Sequence, residues 1–316
     1  MGDIQFILDT VAPVFCIIAL GYFLRKVGLI TPQFITLSSK IVFSVSLPVL
    51  IFLEVSEIDL QEVFDLKVIL FVYLGYLILF GLVWLISLPL AREGRDRGVF
   101  IQGAFRSNFA IIGLAIIANL FGKEGLASGS LLLGFLVPVF NVLSVVALTV
   151  PKHTGRIISW GKIGLEILKN PLIIAVIVAL PFSLIHLQLN SLVKTTADYV
   201  ASIALPLALL GIGGSLRIRD IPSASGLAVT AALLKLIFFP VIFTTAAYLI
   251  GIRDVELGVV FILTASPTAI ASFIMAEAMD CNGKLAGHIV LISTLGSILT
   301  ITFGLFLLMS WGLLPA

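Results

Sequence analysis

The sequence predicts an all-α membrane protein of ten transmembrane helices, arranged as two inverted five-helix repeats with breaks in the fourth and ninth helices. Three observations lead there: an apolar composition, ten apolar runs of about twenty residues, and landmarks that recur in the second half of the chain at a nearly constant spacing.

Composition sets the class. Of 316 residues, 60% are hydrophobic and 11% charged, whereas soluble domains carry roughly 25% charged residues. A water-soluble fold cannot cover its surface with so few charges. A hydrocarbon core of roughly 30 Å takes about twenty residues of helix to cross. The net charge of +2 gives no reason to expect a nucleic-acid partner. The expected surroundings are a lipid bilayer, at the plasma membrane and most simply a bacterial inner membrane. The runs do not alternate as barrel strands do.

Taken in order, run 4–24 follows Asp3 and precedes Arg25-Lys26, the reverse of a secretory signal, so it reads as a retained helix. Run 33–53 holds Leu47-Pro48-Val49, and run 68–90 follows an acidic connection with Glu54, Glu57, Asp59, Glu62 and Asp65. Run 98–121 carries Arg106-Ser107-Asn108 between Gly103 and Gly113, and run 126–149 carries Pro138 and Asn141. Run 167–187 opens near Asn170-Pro171, and run 196–215 holds Leu205-Pro206-Leu207. Lys235 lies in run 224–250, Pro267 in run 255–279, and His288 near the start of run 285–310. The connections are too short for a soluble domain.

Twelve Lys/Arg residues fall in one set of alternate connections and four in the other, namely Lys67, Lys123, Lys194 and Arg253. Positive charge favours the cytoplasmic side, so ten spans place both termini outside.

The halves repeat. Pro13 and Pro171 are 158 residues apart, as are Pro48 and Pro206, and Ser107-Asn108 precedes Ser266-Pro267 by 159. Five spans per half is an odd number, so residues 1–150 and 163–316 enter the membrane from opposite faces. Inverted repeats of this kind occur in secondary transporters.

In hydrocarbon a freed backbone group is tolerated only where protein or a water-filled cavity supplies a partner. Pro267 has no N–H, and its ring clashes with the carbonyl of Leu263. Thr264, Ser266, Thr268 and Ser272 stand ready to bond freed groups. At the equivalent depth in the fourth run are Arg106, Ser107 and Asn108, where a break rests on symmetry alone. Two broken helices bring half-helix ends together at mid-membrane, and their N-terminal ends favour an anion. Asn108, Asn141, Ser107, Ser266, Pro267 and Thr268 are therefore the expected substrate-binding residues. Ionisable groups inside a membrane are functional candidates, which adds Lys235, Arg106 and Glu277 as charge or coupling residues. Lys235 is equally readable as a structural lysine bonded to carbonyls. Arg106 is expected to reach back to the cytoplasmic face, as is Lys40. No metal site and no cofactor is expected.

The motifs Ser46-Leu47-Pro48-Val49-Leu50-Ile51-Phe52, Phe105 to Leu114, Asn170-Pro171-Leu172, Leu205-Pro206-Leu207 and Ser266-Pro267-Thr268-Ala269 resemble, in this order, those of the auxin efflux carrier family, which includes bacterial malonate- and malate-type carriers. The resemblance implies that the fourth and ninth helices cross at their breaks, and that helices 1, 2, 6 and 7 form a scaffold and helices 3–5 and 8–10 a transport domain. It further implies a homodimer joined through the scaffold, elevator-like motion, and substrate contact by Asn108 and Asn141. Ser107-Asn108 stands where plant members have Pro-Asn, and the connection 150–162 is short, so auxin itself is not implied. The expected function is secondary transport of a small organic anion, a mono- or dicarboxylate such as malonate or malate, or an auxin-like weak acid. The rival readings are a sodium- or proton-coupled symporter or antiporter on a related crossing-helix scaffold, and a membrane sensor without transport. Neither a phosphate-binding loop nor a His-Glu-x-x-His or paired-aspartate site is present, so enzyme activity is not expected.

Overall fold

In a computed structural model, residues 2–57, 66–152, 169, 171–185, 187, 189–216 and 224–315 are described. Secondary structure among them is helical, apart from one isolated β-bridge. Six helical stretches of the described residues are long and apolar enough to cross a membrane: Pro32–Ser56, Leu66–Leu90, Phe109–Lys152, Ser191–Ser215, Gly226–Leu249 and Gly283–Ser310. Ten runs do not become ten unbroken rods, because several are interrupted where polar or ring residues cut the backbone ladder.

Helix α1 spans Gly2–Lys26. The second run is α2 (Pro32–Ile41), a π-helical turn (Val42–Ser46) and α3 (Leu47–Glu57). Thr31 caps α2 by accepting the Phe34 N–H at 3.2 Å. Pro48 has no N–H to give a carbonyl in the preceding turn, so the wider π spacing ahead of it accommodates the missing bond. Helix α4 is Leu66–Leu90.

The fourth and fifth runs are α5 (Gly94–Phe105), a π turn (Phe109–Gly113) and α6 (Leu114–Thr149). At Gly122 the backbone turns to φ 60° and ψ −144°, a conformation that costs a side-chain-bearing residue strain, and this separates the two runs joined in α6. The sixth and seventh runs give α7 (Pro171–Leu184), α8 (Ser191–Ser202) and α9 (Ala204–Ser215). The eighth is α10 (Gly226–Leu233), a π turn (Leu234–Phe238) and α11 (Phe239–Leu249), with Pro240 again just beyond the wide turn. Last come α12 (Asp254–Ala265), α13 (Ile270–Ala278) and α14 (Gly283–Ser310).

Packing falls into two groups. Helix α1 lies along α9, α3 along α7 and α8, and α2 along α9. Elsewhere α4 packs on α5, α5 on α6, α10 on α14, α11 on α12, and α13 on α14. Helix α6 touches both groups through α3 and α7, and α1 reaches α14. At one end of the second group, the connection from α13 to α14 is tied to the start of α5 by the exposed Arg95–Asp280 ion pair at 2.8 Å and by Asn282 Nδ2 donating to Asp96 at 2.8 Å.

Candidate functional site

Both expected breaks are present. Helix α5 ends at Phe105, Arg106 turns to an extended backbone at φ −76° and ψ 113°, and helical geometry resumes at Phe109. Helix α12 ends at Ala265, Ser266 turns to φ −58° and ψ 140°, and α13 starts at Ile270. The two extended segments meet as an antiparallel bridge. The Asn108 N–H donates to the Pro267 carbonyl at 2.7 Å, and the Ala269 N–H to the Arg106 carbonyl at 3.2 Å. Ser107 pairs with Thr268, and the Asn108–Pro267 bond beside it joins two residues that the repeat spacing of 159 makes equivalent.

The broken ends are satisfied reciprocally. The Ser107 hydroxyl donates to the Leu263 carbonyl at 2.6 Å, the carbonyl that Pro267 cannot serve. Across the bridge, the Thr268 hydroxyl donates to the Gly103 carbonyl at 2.7 Å. Ser266 Oγ donates to the Ile262 carbonyl at 2.6 Å, and Ser293 on α14 accepts the Thr268 N–H at 3.1 Å. Ser266, Pro267 and Thr268 are thus buried in the crossing point and bonded to protein; the cavity wall beside them is made by Ala269, Ile270 and Ala271. If Pro267 keeps this helix broken, Pro267→Ala, which restores an N–H for Leu263, should cut uptake more than it cuts the amount of folded protein. Unchanged uptake in proteoliposomes would show that the break does not depend on proline.

A cavity of about 200 Å³ opens beside the crossing. Arg106, Ser107, Asn108 and Asn141 line it, together with the first-turn residues Ala110 of one half-helix and Ile270 and Ala271 of the other. The α2 and α9 side contributes Ser39, Gly211 and Ser215. The first amides of a helix have no intrahelical acceptor and carry the positive end of its dipole, so two such ends converge here.

Arg106 does not run out to the membrane face. Its guanidinium turns inward and donates to Asn141 Oδ1 at 3.1 Å and Ser144 Oγ at 2.9 Å, while Lys40 is exposed as expected. Asn108 is 5% exposed, and its Nδ2 is buried without a hydrogen-bond partner; natural structures rarely leave such groups unmet. The apolar wall includes Phe140, which packs edge-on against Tyr76 at 5.0 Å between centroids. Sequence reading missed Ser144, Ser39 and Ser215. Ser144 was discernible, since it lies one helical turn beyond Asn141 and so shares its face.

Lys235 does not line the cavity. It is 1% exposed, and its ammonium donates to the Thr264 carbonyl at 2.8 Å. Glu277 belongs to α13, but its side chain is outside the described residues.

The family model for membrane transport proteins matches the chain twice, over residues 6–157 and 156–305. The chain belongs to this membrane transport protein family. The resemblance to auxin efflux carriers is borne out, and the double match agrees with the internal repeat. Two proteins named uncharacterized transporters are similar: one of Methanocaldococcus jannaschii, 23% identical over 96% of this chain and 97% of its own, and one of Methanothermobacter thermautotrophicus, 24% identical over 93% and 95%. A Rhizobium meliloti protein provisionally named a malonate transporter is 25% identical over 98% of both chains. This membrane transport protein is therefore a multi-pass transporter of a family that is not an enzyme class.

Proposed function

We propose that this membrane transport protein is an elevator-type secondary carrier of a small organic anion, a mono- or dicarboxylate of malonate or malate size. The observation that carries this reading is the convergence of two half-helix N-terminal ends, the Arg106 guanidinium and the unpaired Asn108 amide on one cavity. All four favour a negatively charged oxygen. The similarity to a protein named for malonate supports the choice of size class.

In this reading ten spans form two inverted repeats, and both termini face outward. Helices of runs 1, 2, 6 and 7 form a scaffold and dimerise through it, while runs 3–5 and 8–10 carry the substrate. The two packing groups described above support that division. Asn108 and Asn141 hold the carboxylate, Arg106 supplies fixed charge, and Ser107, Ser266, Pro267 and Thr268 keep the half-helices apart.

Asn141 both lines the cavity and accepts from Arg106. A hydrogen bond to a charged group contributes roughly 1.5–3 kcal/mol, so Asn141→Ala should lower uptake of labelled malonate or malate into proteoliposomes by about tenfold or more. Equal uptake would remove Asn141 from the site. Wild-type protein that binds none of a panel of small carboxylates would sink the substrate class.

A further inference from the structure

The break in α12 releases a carbonyl that the cavity does not use. In an unbroken helix the Thr264 carbonyl would accept from the Thr268 N–H four residues on. That N–H goes to Ser293, and the carbonyl instead accepts from the Lys235 ammonium. Lys235 sits in the π turn Leu234–Phe238, which packs against α5, α12 and α14. Two of those helices also carry buried side-chain oxygens without a partner, Gln102 Oε1 on α5 and Thr294 Oγ1 on α14. The partner recorded for the Lys235 ammonium is thus a backbone carbonyl and not a carboxylate.

The carbonyl end of a helix carries partial negative charge. In carriers with discontinuous helices, such ends and unwound carbonyls are where coupling cations bind. An unpaired ammonium is expensive at this depth, and here it is held against that carbonyl end. The contrast with α5 is informative: its freed carbonyls meet the neutral Thr268 hydroxyl and the Ala269 amide.

We infer that Lys235 is a tethered cation. Its ammonium stands where a mobile coupling ion would otherwise sit, so the protein needs no sodium to hold the crossing point, and removing the ammonium opens a site for a small monovalent cation. The uptake part of this inference rests on the carrier reading; the cation site itself does not.

The test uses purified full-length protein in sodium, ammonium or N-methylglucamine chloride at equal ionic strength. The wild type should melt at the same temperature in all three salts. Lys235→Ala should melt lower in N-methylglucamine and recover by about 1.5 °C or more in sodium or ammonium, the shift that cation binding at several times its dissociation constant gives a chain of this length. Lys235→Met, which fills the space without charge, should melt low in every salt. In proteoliposomes, wild-type uptake should be unchanged when sodium is replaced. Sodium-dependent uptake or melting of the wild type overturns the inference, and so does a Lys235→Ala protein that melts like the wild type and ignores cations. If Lys235→Ala does not fold, a folded Lys235→Arg beside an unfolded Lys235→Met supports the charge requirement, and the reverse pattern overturns it. Melting needs no substrate, so failure of the carboxylate assignment leaves this result readable.

Discussion

Arg106→Met should reduce carboxylate uptake by roughly a hundredfold or more while leaving the protein as stable as the wild type, or more so. The two halves of this expectation have one cause. Arg106 holds a full positive charge inside a membrane protein and answers it with the neutral Asn141 and Ser144. A charge at mid-membrane costs about 2.5–3.5 kcal/mol on insertion scales, and replacing a buried charge by an apolar residue of similar size is often neutral or stabilising. A residue kept for folding alone would show the opposite sign. The substrate supplies what the resting site lacks, because a carboxylate can take two parallel N–H bonds from the guanidinium fork. Two charged hydrogen bonds at roughly 1.5–3 kcal/mol each account for a hundredfold loss. Arg106→Lys keeps charge without the fork and should fall between the two. Uptake and melting temperature measured on the same preparations check this; a destabilised Arg106→Met with proportionate loss of uptake would make Arg106 a structural residue.

The inward turn of Arg106 is also the clearest place where sequence reading falls short. About eight residues into its run, a long side chain can reach either way, and composition does not choose between the membrane face and the bundle. What decides is a polar pair on another helix, Asn141 and Ser144, which only the fold brings near. The break at Pro267 is legible because proline lacks the N–H that Leu263 needs and hydroxyl residues flank it. The break at Arg106–Asn108 contains no such residue and is visible only through the repeat. The repeat makes Asn108 and Pro267 equivalent, and these two meet in the bridge, but it does not say which side chains the bridge consumes. Pro267 can accept but cannot donate, so the second bond of the bridge falls to Ala269, and its centre to Thr268. Ser266 and Thr268 are withdrawn from the cavity wall, because their hydroxyls are needed by the cut ends of the helices. The wide turns before Pro48 and Pro240 leave no mark beyond the prolines themselves, and one of them positions Lys235.

Gly213→Ala should be the most damaging single methyl in the packing group of α1–α3 and α7–α9. A Cβ at Gly213 would collide with the backbone of Ile18, and one at Gly21 with the backbone of Leu210. Helices α1 and α9 therefore touch main chain to main chain, each glycine seated against the other helix. Lipid tails are as apolar as leucine, so helices in a bilayer associate through close van der Waals packing at small residues, not through water exclusion. A methyl at this contact meets carbonyl groups that cannot rotate away, and the helices must separate along their length. Overpacking a core costs about 1–3 kcal/mol, and a fall in melting temperature of several degrees is expected, with lower yield of folded protein. Gly81 on α4 is the control, since nothing lies within 4 Å of an added Cβ there, and Gly81→Ala should be neutral or slightly stabilising through the loss of unfolded-state freedom. The interlock also bears on motion. Backbones meshed this closely cannot slide past each other without first separating, which suits the scaffold role proposed for α1 and α9. Tethering the two helices by a disulfide should then leave uptake intact. A Gly213→Ala protein that melts and transports like the wild type would show that the two helices are not locked, and the division into static and moving parts would lose its firmest structural support.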